Sequence, residues 1–263
     1  MTSKIHLPSL FKTNKKGAIV IAHRGASAYR PENTMVAFER AIELDADMIE
    51  LDVVLSRDGI PVIFHDAKLN KHTNGKGLVG QYTLEELKKL DAGSWFSTVF
   101  SGQRIPTLEE VIKFATGRIA LNIEIKKQKT DYPAGYIEKQ CLKLISEYDM
   151  DKHVLLSSFD YAAVSKLKEL APEIPLAILY EKSQSNQSLP HELVQKYQVD
   201  AFNCSYNELS RKRLDSLKKH NIPSFVYTVD QENKMRKLLD FGVSGIFTNK
   251  PDVLNRVIES YCK

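Results

Sequence analysis

Short apolar segments alternate with amphipathic segments along most of the chain. Eight apolar segments have the length of strands, and most are apolar on both faces, which is typical of strands buried in a parallel sheet. They span residues 18–22, 48–55, 119–126, 154–159, 176–180, 201–205, 224–229 and 245–248. Helical patterns fit between and after them, at residues 33–44, 108–115, 136–148, 161–170, 191–197, 210–220, 232–241 and 252–260. Eight strand–helix units predict an α/β fold, a closed (β/α)8 TIM barrel rather than an open sheet.

The second unit breaks this regularity. Asp58-Gly59 predicts a hairpin turn, and residues 61–66 then form an extra short strand. Residues 67–106 are rich in Gly, Asn and Thr, with a short helix at residues 84–90. Long excursions in a barrel usually cover the active site or form small subdomains. We therefore expect one domain over the whole chain, with a small insertion after the second βα unit that packs over or beside the C-terminal mouth.

Composition narrows the class of protein. The 263 residues are 43% hydrophobic, which suffices for one large core. The net charge of +4 comes from interspersed acids and bases, so a nucleic-acid partner is not required, and the basic residues 12–16 indicate a solvated arm. Cys141, Cys204 and Cys262 are widely spaced and indicate a reducing compartment. No signal peptide or integral membrane segment is predicted. We expect a cytoplasmic protein, and the sequence leaves its oligomeric state open.

Two strands carry acids on one face. Glu50 and Asp52 lie two positions apart, as do Glu124 and Lys126, and alternate residues of a strand point the same way. Buried carboxylates are costly unless they are paired or bind a cation. Oxygen ligands of this kind favour one divalent cation, Mg²⁺ or Ca²⁺, over Zn²⁺. The alternative for Glu124 and Lys126 is an internal ion pair.

Two histidines complete the candidate chemistry. His23-Arg24 follows the first strand directly, at the end where barrel active sites form. His65 closes the extra strand, and two histidines beside three acids could act as general acid and general base in phosphodiester cleavage. Glycosidases also use paired carboxylates, but they do not need two histidines and an arginine. Residues 31–34, Pro-Glu-Asn-Thr, are best explained as a helix start.

These motifs resemble, in order and spacing, those of the glycerophosphodiester phosphodiesterases. The motifs are His23-Arg24-Gly25, Pro31-Glu32-Asn33-Thr34, Glu50-Leu51-Asp52, Asp58-Gly59, His65-Asp66 and Glu124-Ile125-Lys126. The resemblance extends over nearly the whole chain, because residues 73–77, 90–96, 105–110, 158–159 and 242–252 also look like segments of that family. It implies a barrel with a small insertion, and hydrolysis of a glycerophosphodiester to glycerol 3-phosphate and an alcohol. The sequence also departs from the usual pattern at Tyr227, where Trp is usual, at Asp230, where Asn is usual, and at Ser244, where Asp is common. We expect these three positions on or near the pocket wall.

The resemblance also implies residue roles. His23 and His65 match the acid–base pair, although neither is assigned as the base. Glu50, Asp52 and Glu124 match the cation ligands, and Arg24 and Lys126 match positions that hold phosphate. Phe159 and Tyr227 end later strands and could either pack against the glycerol carbons or fill the barrel rim.

Two alternatives stay open. A lysophospholipase D would need an apolar groove, for which Trp95, Phe96 and Phe100 are candidates, although packing of the insertion explains them more simply. A non-catalytic barrel that binds phosphodiesters is disfavoured because no expected histidine or acid is missing. Attack by water and attack by the glycerol hydroxyl, through a cyclic phosphate, are equally compatible with the sequence.

Overall fold

A computed structural model describes residues 17–261, in which eight parallel strands close into a barrel. Strand β1 pairs with both β2 and β9, so the sheet has no gap between its first and last members. The barrel strands are β1 (Ile19–His23), β2 (Met48–Leu55), β4 (Ala120–Ile125), β5 (Val154–Ser158), β6 (Leu176–Leu179), β7 (Ala201–Ser205), β8 (Ser224–Tyr227) and β9 (Gly245–Thr248). The predicted TIM barrel is confirmed, with strand ends within two residues of those predicted.

Helices follow the barrel strands as predicted, and α2 lies within the insertion, also as predicted. They are α1 (Met35–Glu43), α2 (Leu84–Lys89), α3 (Leu108–Ala115), α4 (Tyr136–Glu147), α5 (Tyr161–Leu170), α6 (Lys182–Ser185), α7 (Pro190–Tyr197), α8 (Arg211–Lys219), α9 (Glu232–Phe241) and α10 (Pro251–Tyr261). The one-turn α6 was not predicted. Local chemistry sets several starts: Thr107 and Glu110 satisfy each other's backbone N–H at the start of α3. Among residues 17–261, every helix is too short or too polar to cross a bilayer.

A short antiparallel strand, β3 (Pro61–Ile63), folds back along the end of β2. It pairs with Val53, Val54 and Leu55, and the backbone N–H of Phe64 donates to the carbonyl of Asp52 at 2.9 Å. The strand is shorter than the predicted residues 61–66. The fold-back nevertheless returns the chain to the level of Asp52, so that His65 reaches the barrel mouth.

The barrel interior changes from apolar to polar toward the C-terminal ends of the strands. Its lower part is filled by apolar side chains from all eight barrel strands, including Met48, Leu155, Phe225 and Phe247. Above them the register places Glu50 beside Asn122 and Asp52 beside Glu124 on neighbouring strands. The packed lower layer therefore forms the floor on which the polar residues stand.

The insertion has a small core of its own against β2 and β3. Buried apolar side chains join it to the barrel: Val54, Val62, Phe64, Leu69, Val79, Leu87, Ala92 and Ile105. Its far end meets the loop after β1, where the Arg30 guanidinium lies 5.1 Å from the centre of the Phe100 ring. The insertion thus packs beside the C-terminal mouth. Cys141 and Cys204 are buried free thiols, while Cys262 and the basic residues 12–16 lie outside the described part.

Candidate active site

Three carboxylates converge at the C-terminal ends of β2 and β4. One oxygen from each of Glu50, Asp52 and Glu124 lies within 4.8 Å of the others. The residues are 3%, 0% and 8% exposed, respectively. The same-face spacing on each strand and the in-register pairing of the two strands produce this cluster, as the sequence pattern predicts.

Two positively charged side chains, Lys126 and Arg24, contact the acids. Lys126 Nζ lies 2.6 Å from Glu124 Oε1 and 3.3 Å from Asp52 Oδ1, while Arg24 Nε lies 3.3 Å from Asp52 Oδ2. Asn33 Nδ2 also donates to Asp52 Oδ2 at 2.9 Å. The ion pair between Glu124 and Lys126, considered as an alternative from the sequence, therefore exists within the acid cluster rather than instead of it.

The pKa values of the three acids differ because the nearby positive charges offset the effect of burial to different extents. Burial raises the pKa of Glu50 well above its usual range, and the charges of Asp52 and Glu124 add to this effect. Burial, with Asp52, likewise raises the pKa of Glu124 to about 7, although Lys126 opposes the rise. Burial alone would raise the pKa of Asp52, but Lys126 and Arg24 outweigh it and hold the pKa at about 2.

The donor set fits a hard divalent cation. Three carboxylates face the positive side chains of only Arg24 and Lys126, so a further positive charge would offset the burial and the mutual repulsion that raise the pKa of Glu50 and of Glu124. Asp52 Oδ1 is buried and accepts no hydrogen bond from residues 17–261, which leaves a lone pair available. Oxygen ligands of this type suit Mg²⁺ or Ca²⁺.

His23 is held at the end of β1 by an amide. Its Nδ1 lies 2.8 Å from Asn249 Oδ1. Burial lowers the pKa of His23 to about 4, and the charge of Arg24 contributes to the fall, although the contact with Asn249 opposes both. At neutral pH the imidazole is therefore uncharged, which is the state that a proton acceptor needs.

His65 has a carboxylate neighbour instead. Its Nδ1 lies 2.7 Å from Asp66 Oδ1, and its side chain is 30% exposed. The second carboxylate oxygen of Asp66 lies 3.3 Å from Nδ1 of His72, an insertion residue that is itself 3.7 Å from Glu32 Oε1. Burial lowers the pKa of His72, although Glu32 and Asp66 oppose the shift. Trp95 packs against the His72 ring at 4.5 Å between centroids.

Arg24 is positioned by an unusual backbone turn. It adopts a left-handed conformation with φ of 55°, and its backbone N–H donates to Glu50 Oε2 at 2.9 Å. Gly25 follows with φ of 82°, and a Cβ there would lie 2.6 Å from the backbone of Ala37 in α1. A glycine is therefore required where this loop packs on the helix. The turn lets Arg24 Nη1 donate to Glu32 Oε1 at 2.8 Å while its Nε faces Asp52.

A cavity of about 220 Å³ lies above the acids. Phe159 and Tyr227 form one wall, with their rings edge to face at 5.9 Å between centroids. Lys126 Nζ lies 5.9 Å from the centre of the Phe159 ring. The nine predicted site residues are thus brought together around one cavity, except that Asp52 lies beneath its lining residues: His23, Arg24, Glu50, His65, Glu124, Lys126, Phe159 and Tyr227.

A larger groove opens beside this cavity, between the insertion and the loop after β4. It measures about 660 Å³ and shares His65 and Lys126 with the smaller cavity. Its apolar lining includes Val54, Leu78 and Tyr132. The aromatic residues suggested from the sequence for such a groove do not line it: Trp95 packs on Phe96 and His72 instead.

Sequence reasoning missed several residues that hold the site together. Glu32 and Asn33 do more than start a helix, because they contact Arg24 and Asp52 directly. The left-handed φ of 55° at Asn33 is one that Asn tolerates better than most residues, but a sequence does not reveal it. The expected position of Ser244 was wrong: it precedes β9 at the opposite end of the barrel and donates its N–H to the Ser224 carbonyl at 2.8 Å.

Known proteins are similar to this chain in sequence and in fold. A glycerophosphodiester phosphodiesterase of Caldanaerobacter subterraneus subsp. tengcongensis is 39% identical over 91% of this chain and 97% of its own length. One from Bacillus subtilis is 37% identical over 92% and 87%, respectively. The structure of an Oleispira antarctica phosphodiesterase in complex with the product sn-glycerol-3-phosphate superimposes with a TM-score of 0.80 at 31% identity, covering 92% of this chain and 96% of that one. Residues 23–253 match the Glycerophosphoryl diester phosphodiesterase family, and the chain belongs to that family.

Proposed function

We propose that the chain hydrolyses glycerophosphodiesters to sn-glycerol 3-phosphate and an alcohol, with His23 as general base and His65 as general acid. Family membership makes it a phosphoric diester hydrolase, and the finer steps are our proposal. One observation carries it: two histidines with different partners line one cavity above three buried acids. The uncharged His23 suits proton abstraction, and Asp66 gives His65 an anionic partner that can balance a protonated ring.

Glu50, Asp52 and Glu124 would hold the divalent cation, Mg²⁺ or Ca²⁺. When bound, it would supply positive charge that neutralises the phosphate and stabilises the transition state. Arg24 and Lys126 line the same cavity and would bind the phosphate oxygens. The side chains of Arg24 and Lys126 both form ion pairs with Asp52, so their orientation is set before the substrate binds.

The residues then divide the proton transfers. His23 Nε2 takes the proton from the attacking hydroxyl as its oxygen bonds to phosphorus. The bond between phosphorus and the alcohol oxygen breaks, and His65 donates a proton to that oxygen. Phe159 and Tyr227 would pack against the glycerol carbons, because they form the apolar wall of the cavity. When water is the nucleophile, these transfers give sn-glycerol 3-phosphate directly. When the glycerol hydroxyl attacks, they give a cyclic phosphate; water then opens the ring, with His65 taking a proton from the water and His23 returning one to the glycerol oxygen.

The neighbouring groove supports a second candidate function, lysophospholipase D. The groove is joined to the catalytic cavity through His65 and Lys126 and has apolar side chains in its lining. It therefore has room for a substrate larger than a glycerophosphodiester. Both reactions would use the same residues, so only the substrate distinguishes them.

Product analysis on a substrate panel tests the proposal. Glycerophosphocholine, glycerophosphoethanolamine and glycerophosphoinositol should each release sn-glycerol 3-phosphate, with specificity constants within about tenfold of each other. Bis(p-nitrophenyl) phosphate, which lacks glycerol, should be a far poorer substrate. A preference for lysophosphatidylcholine over glycerophosphocholine would favour the second candidate, and cleavage of none of these would reject both. A transient cyclic glycerophosphate would identify the glycerol hydroxyl as the nucleophile.

Other sequence predictions stay predictions. These are the cytoplasmic location, the absence of a nucleic-acid partner, and a single domain over residues 1–263. A small-molecule phosphodiester as the substrate fits the family.

A further inference from the structure

A group of hydrogen bonds behind His23 has no role in the scheme above. Asp230 lies in the loop after β8, and Asn249 follows β9 directly. The Asp230 carboxylate accepts three hydrogen bonds, from the Thr248 hydroxyl at 2.9 Å, the Asn249 backbone N–H at 2.8 Å and Asn249 Nδ2 at 2.7 Å. Asp230 does not line the catalytic cavity, and Asn249 links it by hydrogen bonds to His23.

The chemistry of these groups fixes the direction of each hydrogen bond. A carboxylate only accepts, so Asn249 has to turn its Nδ2 toward Asp230. Its Oδ1 therefore faces the other way and lies 2.8 Å from His23 Nδ1. Because an amide oxygen also only accepts, His23 Nδ1 must carry the proton. The second ring nitrogen, Nε2, is then unprotonated in the neutral imidazole.

A serine reinforces the same arrangement. The Ser27 hydroxyl lies 2.8 Å from Asn249 Oδ1 and 2.7 Å from the backbone carbonyl of His23. Both neighbours are acceptors, so Ser27 can only donate to one or the other. The Asn249 backbone carbonyl also accepts from Ala28 N–H at 3.1 Å, which ties the end of β9 to the loop after β1.

We propose that Asp230 and Asn249 are positioning residues that fix His23 in the tautomer protonated at Nδ1, leaving Nε2 free to accept a proton. The link to catalysis rests on the proposed function, but the tautomer is a property of the protein without substrate. Asp230 is one of the positions at which the sequence departs from its family resemblance, and its contacts give that departure a definite role.

Asp230→Asn is the direct test. An amide at position 230 can donate as well as accept, so Asn249 can turn its oxygen toward residue 230 and its Nδ2 toward His23. His23 Nδ1 would then become an acceptor and the proton would move to Nε2. The catalytic consequence should be at least about a tenfold fall in kcat with KM within about threefold, because the base loses its acceptor but the binding groups are untouched.

The double variant Asp230→Asn/Asn249→Asp should reverse the effect. The new carboxylate at position 249 would accept from both His23 Nδ1 and the amide of residue 230, which restores the original direction. Asp252→Asn serves as the matched control, because Asp252 accepts from Tyr29 and Arg256 at the start of α10 rather than from Asn249. Its kcat and its His23 tautomer should equal those of the wild type.

The tautomer is measured by long-range ¹H–¹⁵N NMR on histidine-labelled, Mg²⁺-loaded protein, with His23 assigned from the spectrum of His23→Gln. Protonation at Nδ1 in the wild type, at Nε2 in Asp230→Asn and at Nδ1 again in the double variant supports the proposal. Protonation at Nε2 in the wild type or the double variant overturns it. An unchanged tautomer in Asp230→Asn, or a changed one with kcat within about threefold, also overturns it. If the tautomers behave as proposed but the wild type cleaves no glycerophosphodiester, the proposed function fails and the tautomer assignment stands.

Discussion

His23 and His65 face the same acids from two different environments. His23 ends a barrel strand, its Nδ1 meets an amide oxygen, and burial holds its pKa at about 4. His65 follows the fold-back strand β3, is 30% exposed, and its Nδ1 meets the carboxylate of Asp66. The difference teaches that the surroundings, not the residue type, can assign opposite proton-transfer roles to two histidines.

The two histidines also depend on different parts of the molecule. The hydrogen bonds that hold His23 come from the loops after β8 and β9 of the barrel, through Asn249 and Asp230. The partner of His65 is Asp66, which contacts His72 of the insertion. His72 in turn lies near Glu32, and Glu32 forms an ion pair with Arg24. The barrel therefore holds His23, and the insertion contributes to the surroundings of His65.

Loss of the cation should have the largest effect, because in the proposed scheme both histidines act on a phosphate whose charge the cation neutralises. Chelation should abolish turnover, and Mg²⁺ or Ca²⁺ should restore it better than Zn²⁺. Glu124→Gln should weaken cation binding at least about tenfold by calorimetry, a loss typical of altered metal sites. Glu39→Gln, at a surface ion pair with Arg118, is the matched control. Equal affinity of the two variants would remove Glu124 from the cation site.

A change in the insertion should act on the groups that His72 contacts, Asp66 beside His65 and Glu32. His72→Gln removes the ring that lies 3.3 Å from Asp66 Oδ2 and 3.7 Å from Glu32 Oε1. We expect kcat to fall about tenfold, equivalent to roughly 1.4 kcal/mol of transition-state stabilisation, since Asp66 would lose part of its support. His153→Gln, at an exposed turn, is the control. A His72→Gln rate within about twofold of that control would show that the insertion does not position His65.

The smallest expected effect is on the pH dependence of the free energy of unfolding, to which His23 contributes. The pKa of His23 is about 4 in the folded protein, against 6.5 for the free side chain. Between pH 6.5 and pH 4 the His23 side chain binds a proton in the unfolded chain but not in the folded chain. The contribution of neutral, buried His23 to the free energy of unfolding is therefore complete above pH 6.5 and is lost as the pH falls toward 4. The free energy of unfolding should therefore fall more steeply over this range in the wild type than in His23→Gln, by at most about 1.4 kcal/mol per pH unit.

Urea unfolding of both proteins in EDTA measures this difference without interference from cation binding. Parallel curves would mean that His23 is not held neutral by burial.

The predictable part of this protein is what strand periodicity encodes. Glu50, Asp52 and Glu124 could be placed together because alternate residues of a buried strand share a face and neighbouring parallel strands lie in register. The barrel could be predicted because eight apolar strands alternate with amphipathic helices along the chain. His65 was found from its strand, and the hairpin turn predicted at Asp58-Gly59 is the fold-back that brings it to the level of Asp52.

The unpredicted part depends on loops and long-range contacts. Asn33 and Arg24 reach Asp52 through left-handed backbone turns, which no hydrophobic pattern reports. Asn249 meets His23 across 226 residues of sequence, and His72 meets Asp66 only because the insertion folds onto the mouth. Such contacts depend on closure of the barrel, so their partners cannot be paired from local sequence alone.

The assignment of base and acid is tested most directly by the leaving group. Removing a general acid harms a substrate with a poor leaving group more than one with a good leaving group, whereas removing the base harms both. The rates of His23→Gln and His65→Gln should be compared on glycerophosphocholine and on glycerophospho-p-nitrophenol. We expect His65→Gln to lose roughly 10²–10⁴ in rate on the choline ester but less than about tenfold on the nitrophenyl ester, and His23→Gln to lose roughly 10²–10⁴ on both. The reverse pattern, with His23→Gln rescued by the good leaving group, would contradict the account.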